Sequence, residues 1–410
     1  MANDFPIYFV HGILGWGPEE DGFGRYWGEA RRLARESLLD NPVRFASVGP
    51  VSSHWDRARE LFYQIYGQDV DYGEEHSSEH GHDRRIDNWP KKNLAPHPGW
   101  SEDNPVHFIG HSQGPPTIRL LEWMLENQLF EDENGRVIPT NHRWITSVTS
   151  ISGVLNGATM PYAAFDASPE TGRLEGGVVW STLRQVPGAV INGVTQPGPL
   201  WHVLKAIPEI KTGYNWDLEH WGLERKDLFI MKEPVLTFLP RLLLHPFFKG
   251  TDNAPYSLSV HGTVEMNRYL ETYDDTYYFS YVTQSSRRTS PWGHHVPDDH
   301  MHFFLKDYSH EIGKYDKELV DGFYPEQWWA NDGAVSAISQ TYPFLPHEQK
   351  HEFVYESFFP EKREPGQWYV MRRELEGWDH TDPVMFPDSG ERRDRQYNFY
   401  ARLLTELAGL

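Results

Sequence analysis

The residue of this sequence that most directly indicates catalysis is a serine that lies between two glycines. Gly110, Ser112 and Gly114 form the pattern Gly-x-Ser-x-Gly, written Gly-His-Ser-Gln-Gly in this chain. In such a turn between a strand and a helix, the serine hydroxyl is exposed and the glycines let the chain pack closely around it. A glycine-rich turn with an incidental serine is the alternative, and the flanking segments have to decide between the two.

The segments on either side of the serine have the pattern that a nucleophile turn requires. Residues 106–109 form a short apolar run typical of a buried strand, and residues 117–129 carry apolar side chains at helical spacing. Pro115 and Pro116 fall in the first helical turn, where backbone N–H groups have no intrahelical partner, so both are tolerated. The context predicts Ser112 as a nucleophile.

An acid and a histidine follow Ser112 in the order used by α/β hydrolases, serine, then acid, then histidine. Asp332 lies in a turn between apolar segments, and His380 lies just after a predicted strand. His380 is predicted to take the serine proton, and Asp332 to orient the imidazole. Asp379 and Asp382 are rival acids by sequence proximity, although adjacent side chains rarely point together.

Two backbone N–H groups are predicted to stabilise the oxyanion formed during attack. One belongs to Gln113, the residue after the nucleophile, and the other to a loop after an early strand. His11–Gly15 follows the first strand, which makes Ile13 the second predicted donor.

Strands alternating with helices must position these residues, and this alternation predicts an α/β fold with a parallel sheet covered by helices. Strands are predicted at 6–10, 43–48, 106–109, 144–152, 276–282 and 367–373, and helices at 23–39, 54–66, 117–129 and 392–407. Residues 67–104 are polar without clear periodicity, and residues 153–248 are interpreted as a helical insertion that could serve as a lid.

Composition excludes several classes of function. The net charge of −21 over 410 residues disfavours binding to nucleic acid or to anionic lipid. There is no cysteine, which excludes disulfides and thiolate chemistry. No run of residues has the length and apolarity of a transmembrane segment, and no signal peptide is expected in this sequence.

Several segments in one order resemble the bacterial lipases of the staphylococcal and thermophilic-bacillus type. The resemblance covers residues 6 to 408. The segments that carry it are His11–Gly17, Val48–Ala58, Asp71–Gly73, Gly110–Gly114, Trp221–Leu223 and Asn331–Gly333. It implies an α/β-hydrolase fold with a helical lid, hydrolysis of triacylglycerols or other esters, secretion, and two bound metals. It also maps the triad onto Ser112, Asp332 and His380, in agreement with the order argument.

A structural zinc is the first metal that the resemblance implies. The positions that match the family's ligands are Asp56, His76, His82 and Glu219. Two histidines and two carboxylates suit a closed tetrahedral zinc site. Glu219 replaces a family aspartate and its longer side chain changes the reach, so Asp217 is an alternative. His80 is a competitor of the two histidines.

Calcium is the second implied metal, held near the catalytic histidine. Asp382 matches one carboxylate ligand, and Asp388 matches another if one residue is inserted. A backbone carbonyl ligand falls near His300. Calcium prefers oxygen ligands, as these three residues would provide.

The sequence therefore predicts a carboxylic-ester hydrolase, in first place a triacylglycerol lipase working through an acyl-enzyme. An esterase for short soluble esters, or a non-catalytic metal-binding protein of the same fold, are the alternatives. One domain is predicted over residues 1–410, with a metal-binding insertion at about 67–104 and a lid at about 153–248. The expected partner is an acylglycerol or other ester at a lipid–water interface, and the oligomeric state is left open.

Overall fold

A parallel β-sheet forms the centre of the chain. The computed structural model describes residues 3–18, 26–36, 40–164, 167–173, 217–223, 245–346, 353–356, 362–385 and 389–410. Within them, seven parallel strands lie in the order β2-β1-β3-β4-β5-β9-β8, and β6 and β7 form a separate antiparallel pair. The strands are β1 (Ile7–Val10), β2 (Val43–Phe45), β3 (Val106–His111), β4 (Ile145–Ile151), β5 (Tyr277–Tyr281), β6 (Ser286–Arg288), β7 (His295–Pro297), β8 (Phe353–Glu356) and β9 (Trp368–Met371). The parallel sheet predicted from the sequence is thus present.

Both faces of the sheet are buried, as the apolar sequence of β1 requires. All four of its side chains are fully buried. Tyr8 and Val10 point into one apolar cluster, and Ile7 and Phe9 point into a second cluster on the opposite face. Alternation along a strand sends successive side chains to opposite faces, so a strand that is apolar throughout needs helices on both sides.

Helices cover the two faces and connect the strands. They are α1 (Gly28–Glu36), α2 (His54–Tyr66), α3 (Glu74–His80), α4 (Gly114–Glu126), α5 (Met160–Ala164), α6 (Pro246–Lys249), α7 (Ala254–Ser257), α8 (Val260–Asn267), α9 (Phe303–Ile312) and α10 (Gly390–Ala408). Short 3₁₀ segments lie at Pro90–Asn93, His142–Trp144, Glu219–Trp221 and Pro325–Trp328. None of the helices within the described ranges is long and apolar enough to cross a membrane.

The predicted bounds of α2 are those observed. The Ser53 side chain accepts a hydrogen bond from the Asp56 N–H at the start of this helix, and Gly67 ends it with a φ of 83°. Helix α4 begins at Gly114, three residues earlier than predicted, because Pro115 and Pro116 fit its first turn.

Strand β2 is shorter than the predicted 43–48. Beyond Phe45, the Ser47 N–H donates to the Gln64 side chain and the Val48 N–H donates to the His11 imidazole. Side chains thus take the N–H groups that a longer ladder would use.

The two predicted insertions differ in how much of them is described. Residues 67–104, which show no periodicity in the sequence, contain the short helix α3 and a 3₁₀ segment. The predicted lid at 153–248 lies largely outside the described residues, because 165–166, 174–216 and 224–244 are not among them.

The buried His107 of β3 gives a test of how burial controls stability. Burial lowers the pKa of His107 to about 3, and its Nδ1 lies 2.8 Å from Ser147 Oγ. Below about pH 6.5 His107 is therefore protonated in the unfolded chain but still neutral in the folded chain. The free energy of unfolding consequently decreases as the pH falls toward 3. We expect the free energy of unfolding of His107→Asn to fall less steeply between pH 6 and pH 4 than that of the wild type, by about 1.4 kcal/mol per pH unit.

Urea unfolding of both proteins at pH 7, 6, 5 and 4 measures this difference. The same change at the exposed His310 is the control and should leave the pH dependence unaltered. Equal slopes of the free energy of unfolding against pH for His107→Asn and the wild type would contradict the lowered pKa of His107.

Candidate active site

Ser112 lies at the turn between β3 and α4 in a strained backbone conformation. Its φ is 59°, in the left-handed region that side chains other than glycine rarely adopt. Close packing maintains this turn, because a β-carbon added to Gly12 would lie 2.6 Å from the β-carbon of Ser112. A β-carbon added to Gly114 would lie 2.2 Å from the Val10 carbonyl oxygen. The glycines at these positions are required by space.

The three predicted triad residues come together in one hydrogen-bonded row. His380 Nε2 lies 3.0 Å from Ser112 Oγ, and His380 Nδ1 lies 2.9 Å from Asp332 Oδ2. The Asp332 carboxylate accepts a hydrogen bond from Nδ1–H of His380, so the lone pair of Nε2 can accept the serine proton. The rival Asp379 instead accepts hydrogen bonds from the N–H and hydroxyl of Thr381 in its own turn.

Asp332 is fully buried and held by several hydrogen bonds besides that of His380. Its Oδ2 accepts from the Thr283 hydroxyl at 2.7 Å and from Gln340 Nε2 at 3.1 Å. Its Oδ1 accepts from the N–H groups of Ala334 and Val335 at 3.0 and 2.8 Å. A buried carboxylate needs such donors, and they also fix the direction in which it meets the imidazole.

A second row of hydrogen bonds reaches the backbone carbonyl of His380. The Tyr26 hydroxyl accepts from the Gly12 N–H at 2.9 Å and lies 2.7 Å from His111 Nδ1, while His111 Nε2 lies 2.9 Å from the His380 carbonyl. Burial holds the pKa of His111 well below its usual value, so the ring is neutral. Its Nε2–H therefore donates to His380, and Nδ1 accepts from Tyr26.

Of the two predicted oxyanion donors, Gln113 follows Ser112 in the chain and Ile13 lies in the loop after β1. Ile13 lines the same cavity as Ser112. Within the described part of the chain, neither backbone N–H has a hydrogen-bond acceptor of its own. The fully buried Arg57 stabilises the Ile13 loop, because its guanidinium donates hydrogen bonds to the carbonyl oxygens of His11 and Gly49.

The cavity at Ser112 has a volume of about 100 Å³ where the described residues bound it. Apolar side chains line most of it. They include Ile13, Val154, Ala158, Leu258, Val335 and Met385. Such a lining favours an apolar ligand, with Ser112 and His380 as the polar groups that meet it.

A second cluster of potential ligands lies between α2, α3 and the turn before α7. Potential ligand atoms of Asp56, His76, His82 and Asp252 all lie within 4.8 Å of one another. His76 Nε2 is 3.2 Å from an oxygen of each aspartate, and His82 Nε2 is 3.4 Å from Asp252 Oδ2. The four side chains form a compact set of two nitrogens and two carboxylates.

The electrostatics of this cluster suit a cation. Burial lowers the pKa of His76, but hydrogen bonds with Asp252 and Asp56 outweigh it and raise that pKa to about 9. His82 Nδ1 is 2.9 Å from the Asp83 carbonyl, which turns the lone pair of Nε2 toward the cluster. That buried Nε2 makes no hydrogen bond with any described residue. An imidazole held in this way is prepared for a metal ion.

The structure brings Asp252, and not the predicted Glu219, to this cluster. Glu219 is exposed and is not part of the cluster. The alternative Asp217 forms a buried ion pair with Lys91. Asp252 lies in the cluster instead, and the buried His220 beside Glu219 places its Nε2 3.1 Å from Asp56 Oδ2. Because Glu219 and His220 are adjacent in a 3₁₀ turn, only one of them can point inward.

A comparison with known families identifies the chain. The profile of the family described as "Lipase-like, C-terminal domain" matches residues 3–143 and 200–409. The chain belongs to this lipase-like family. The family resemblance predicted from the sequence motifs is thereby confirmed.

Relatives of this lipase-like chain include staphylococcal lipases. Lipase 2 of Staphylococcus aureus is 27% identical over 421 residues, covering 99% of this chain and 54% of that protein. The lipase of Staphylococcus hyicus is 29% identical over 393 residues, covering 93% of this chain and 53% of that protein. The lipase-like chain thus spans about half the length of these relatives.

Solved structures share the fold over nearly the whole lipase-like chain. EstA from Clostridium botulinum has a TM-score of 0.77 and 28% identity, covering 100% of this chain and 88% of that one. The Staphylococcus hyicus lipase has a TM-score of 0.70 and 26% identity, covering 99% and 96%. Together with the parallel sheet, these similarities confirm the predicted α/β-hydrolase fold.

The residues predicted for calcium are partly brought together in the lipase-like chain. The His300 carbonyl and the Asp382 carboxylate lie near each other, but an arginine, Arg392, contacts both. Asp388 lies outside the described residues. A further potential cluster of His302, Asp379 and Asp382 lies in the same region.

The residues that the sequence did not reveal include Asp252, Tyr26, Arg392 and His220. Asp252 is 176 positions from His76, so no local spacing could have related them. Tyr26 and Arg392 act through contacts with distant loops. His220 had one usable signal, because it adjoins the Trp-Gly-Leu segment that marks the metal-site region in the family.

Separate substitutions of Asp252 and Glu219 test which of the two acidic residues belongs to the metal-binding set. We expect Asp252→Asn to weaken metal binding by at least about 100-fold, since it removes a buried carboxylate that contacts both histidines. Glu219→Gln is the matched control and should retain the wild-type metal content. Elemental analysis of the purified proteins after dialysis measures the bound metal per chain. Metal loss in Glu219→Gln but not in Asp252→Asn would restore the original assignment.

Proposed function

We propose that this chain hydrolyses carboxylic esters, in first place as a lipase. The observation that supports this most directly is the hydrogen-bonded row Ser112–His380–Asp332 opening onto an apolar cavity. The names of its relatives, which are lipases, point the same way.

In the proposed reaction, Ser112 Oγ attacks the ester carbonyl carbon while its proton passes to His380 Nε2. The oxyanion then accepts hydrogen bonds from the N–H groups of Ile13 and Gln113, and Asp332 stabilises the imidazolium. Collapse of the tetrahedral intermediate breaks the bond to the alcohol, which leaves with the proton from His380. Water, deprotonated by His380, then releases the acyl group from Ser112.

The Tyr26–His111 row has a positioning role in this proposal. It links the Gly12 N–H, next to the oxyanion donor Ile13, to the carbonyl of His380. The two halves of the site therefore share one chain of hydrogen bonds, which keeps the base and the oxyanion loop in register.

Zinc is the metal we propose for the cluster of Asp56, His76, His82 and Asp252. Two imidazole nitrogens and two carboxylates make a closed four-ligand set typical of a structural zinc, whereas calcium would seek six to eight oxygens. The ion would join α2 to α3 and to the turn at Asp252, away from the triad. We assign it no step of the reaction.

One hydrolase domain over residues 1–410 is part of the same proposal, with the metal-binding insertion at about 67–104 and a lid at about 153–248. Strands from both ends of the chain, β1 and β9, belong to one sheet, which supports a single domain. The described part of the lid region includes Val154, Ala158 and Met160, which line the cavity at Ser112.

Replacing the nucleophile tests the proposal directly. We expect Ser112→Ala to lower kcat for a nitrophenyl ester by about 10⁶-fold, as for other serine hydrolases that lose the nucleophile. Ser290→Ala, at an exposed serine, is the control. Labelling by a serine-directed phosphonate, read by mass spectrometry, should occur at Ser112 in the wild type and be absent in Ser112→Ala. Full activity of Ser112→Ala would refute the mechanism.

An esterase for short soluble esters is the second candidate, and the size of the cavity favours it. The cavity of about 100 Å³ that the described residues bound at Ser112 suits a short acyl group better than a long one. For a lipase we expect kcat/KM to rise from butanoate to dodecanoate esters, and the rate to increase once the substrate exceeds its solubility. A maximum at butanoate, with no increase at the interface, would identify the esterase.

A further inference from the structure

The turn that follows His380 is tied to two other parts of the chain by one arginine. Arg392 Nη2 donates to the His300 carbonyl oxygen at 2.7 Å, and Arg392 Nη1 lies 2.8 Å from Asp382 Oδ1. Asp382 is two residues beyond His380. The contact with Asp382 is largely buried, with 18% of the Arg392 side chain and 9% of the Asp382 side chain exposed, whereas the contact with His300 lies at the surface.

The two oxygens that Arg392 contacts are the ones that the family resemblance assigns to calcium. A guanidinium presents several N–H donors in a rigid plane, so it can bridge a carbonyl and a carboxylate that a divalent cation would otherwise share. One positive charge, one hydrogen bond to the His300 carbonyl and one ion pair with Asp382 thus lie between the His300 loop and the Asp382 turn.

The remaining oxygens of this region are already engaged by N–H and hydroxyl donors. Asp379 Oδ1 accepts from the N–H and hydroxyl of Thr381, and Asp379 Oδ2 accepts from the His302 N–H at 2.8 Å. Asp382 Oδ2 accepts from the Asp379 N–H, also at 2.8 Å. Calcium needs six to eight oxygen ligands, and here it would have to displace these donors as well as Arg392. The described residues do not fit a calcium ion.

The position of Arg392 in its helix also calls for an explanation. It lies in the first turn of α10, where Ser389 accepts from its backbone N–H as the N-cap. A cation is unfavourable at a helix N-terminus, because the helix dipole places partial positive charge there. The carbonyl of His300 and the carboxylate of Asp382 offset that cost.

We propose that the Arg392 guanidinium replaces calcium in this chain and fixes the turn that carries His380, so that this turn needs no divalent cation. Arg392 is then a positioning residue. It touches no reacting atom and acts by holding Asp382, and with it the His380 imidazole, against the His300 loop. Its effect on catalysis depends on the proposed ester hydrolysis, whereas its effect on calcium binding does not.

Calcium binding to the wild-type protein is the first measurement. Protein dialysed into calcium-free buffer, without a chelator that would strip zinc, is titrated with CaCl₂ by calorimetry, and its Tm is recorded with and without calcium. We expect no stoichiometric binding at millimolar calcium and an unchanged Tm. One calcium bound per chain with a raised Tm would overturn the proposal, whether or not the protein hydrolyses esters.

Arg392→Ala, compared with Arg393→Ala, is the second measurement. Arg393 is the next residue on the same helix and is exposed, so its loss controls for charge and helix propensity. We expect Arg392→Ala to lower Tm by roughly 5 °C and kcat for a nitrophenyl ester by about 10- to 100-fold, because the imidazole loses its support. KM should change little. Behaviour identical to Arg393→Ala would overturn the proposal.

Arg392→Lys keeps the experiment informative if the alanine variant folds poorly. Lysine preserves the charge, but its single ammonium cannot reproduce the two-armed contact with His300 and Asp382. We expect Arg392→Lys to fold, with a kcat between those of the wild type and Arg392→Ala. Its Tm should fall below that of the wild type by less than the Tm of Arg392→Ala does. A kcat equal to that of the wild type would show that charge alone suffices and that the bridging geometry does not matter.

Discussion

The contact between Ser112 and His380 joins residues 268 positions apart, and the rest of the structure serves to keep it at hydrogen-bond distance. Neither residue can hold the other in place alone, because each lies in a turn. The parallel sheet brings these turns to one edge, since the carboxyl ends of parallel strands share an edge. Glycines at residues 12 and 114 then let the Ser112 turn pack directly against the end of β1 and the loop that follows it.

Buried polar groups around that contact are kept in defined charge states by their surroundings. Burial holds the pKa values of His11 and His111 well below their usual range, so both rings are neutral hydrogen-bonding partners. Burial raises the pKa of Glu60 to about 8, which leaves a neutral carboxyl beside the Tyr72 hydroxyl at neutral pH. Charge inside the molecule is thus concentrated on a few bridging groups such as Arg57, where it holds loops together.

The sequence was sufficient for the fold class, for the elements near the site and for naming three residues, Ser112, Asp332 and His380, that meet in one hydrogen-bonded row. Strong local signals explain this: an apolar strand, a capped helix at Ser53 and a glycine-flanked serine each depend on a few neighbouring residues. The fourth member of the potential metal cluster and the group between His300 and Asp382 could not be found in this way. Asp252 and Arg392 meet their partners only through tertiary packing. A family pattern indicates which position of this sequence matches a known ligand, but it does not reveal which of the neighbouring side chains points inward.

The lipase-like chain therefore stabilises two of its loops by different means. At α3, two carboxylates and two imidazoles converge without a neighbouring arginine in the cluster among the described residues, and their charge favours a metal ion. Beside His380, carboxylates also converge, but Arg392 supplies the positive charge from within the chain. A metal ion must be captured and can be lost to competitors, whereas a guanidinium on α10 is present whenever the helix is folded. The turn that carries His380 is thus coupled to α10 through Arg392, and in the proposed role of this arginine the stability of that helix sets how firmly His380 faces Ser112.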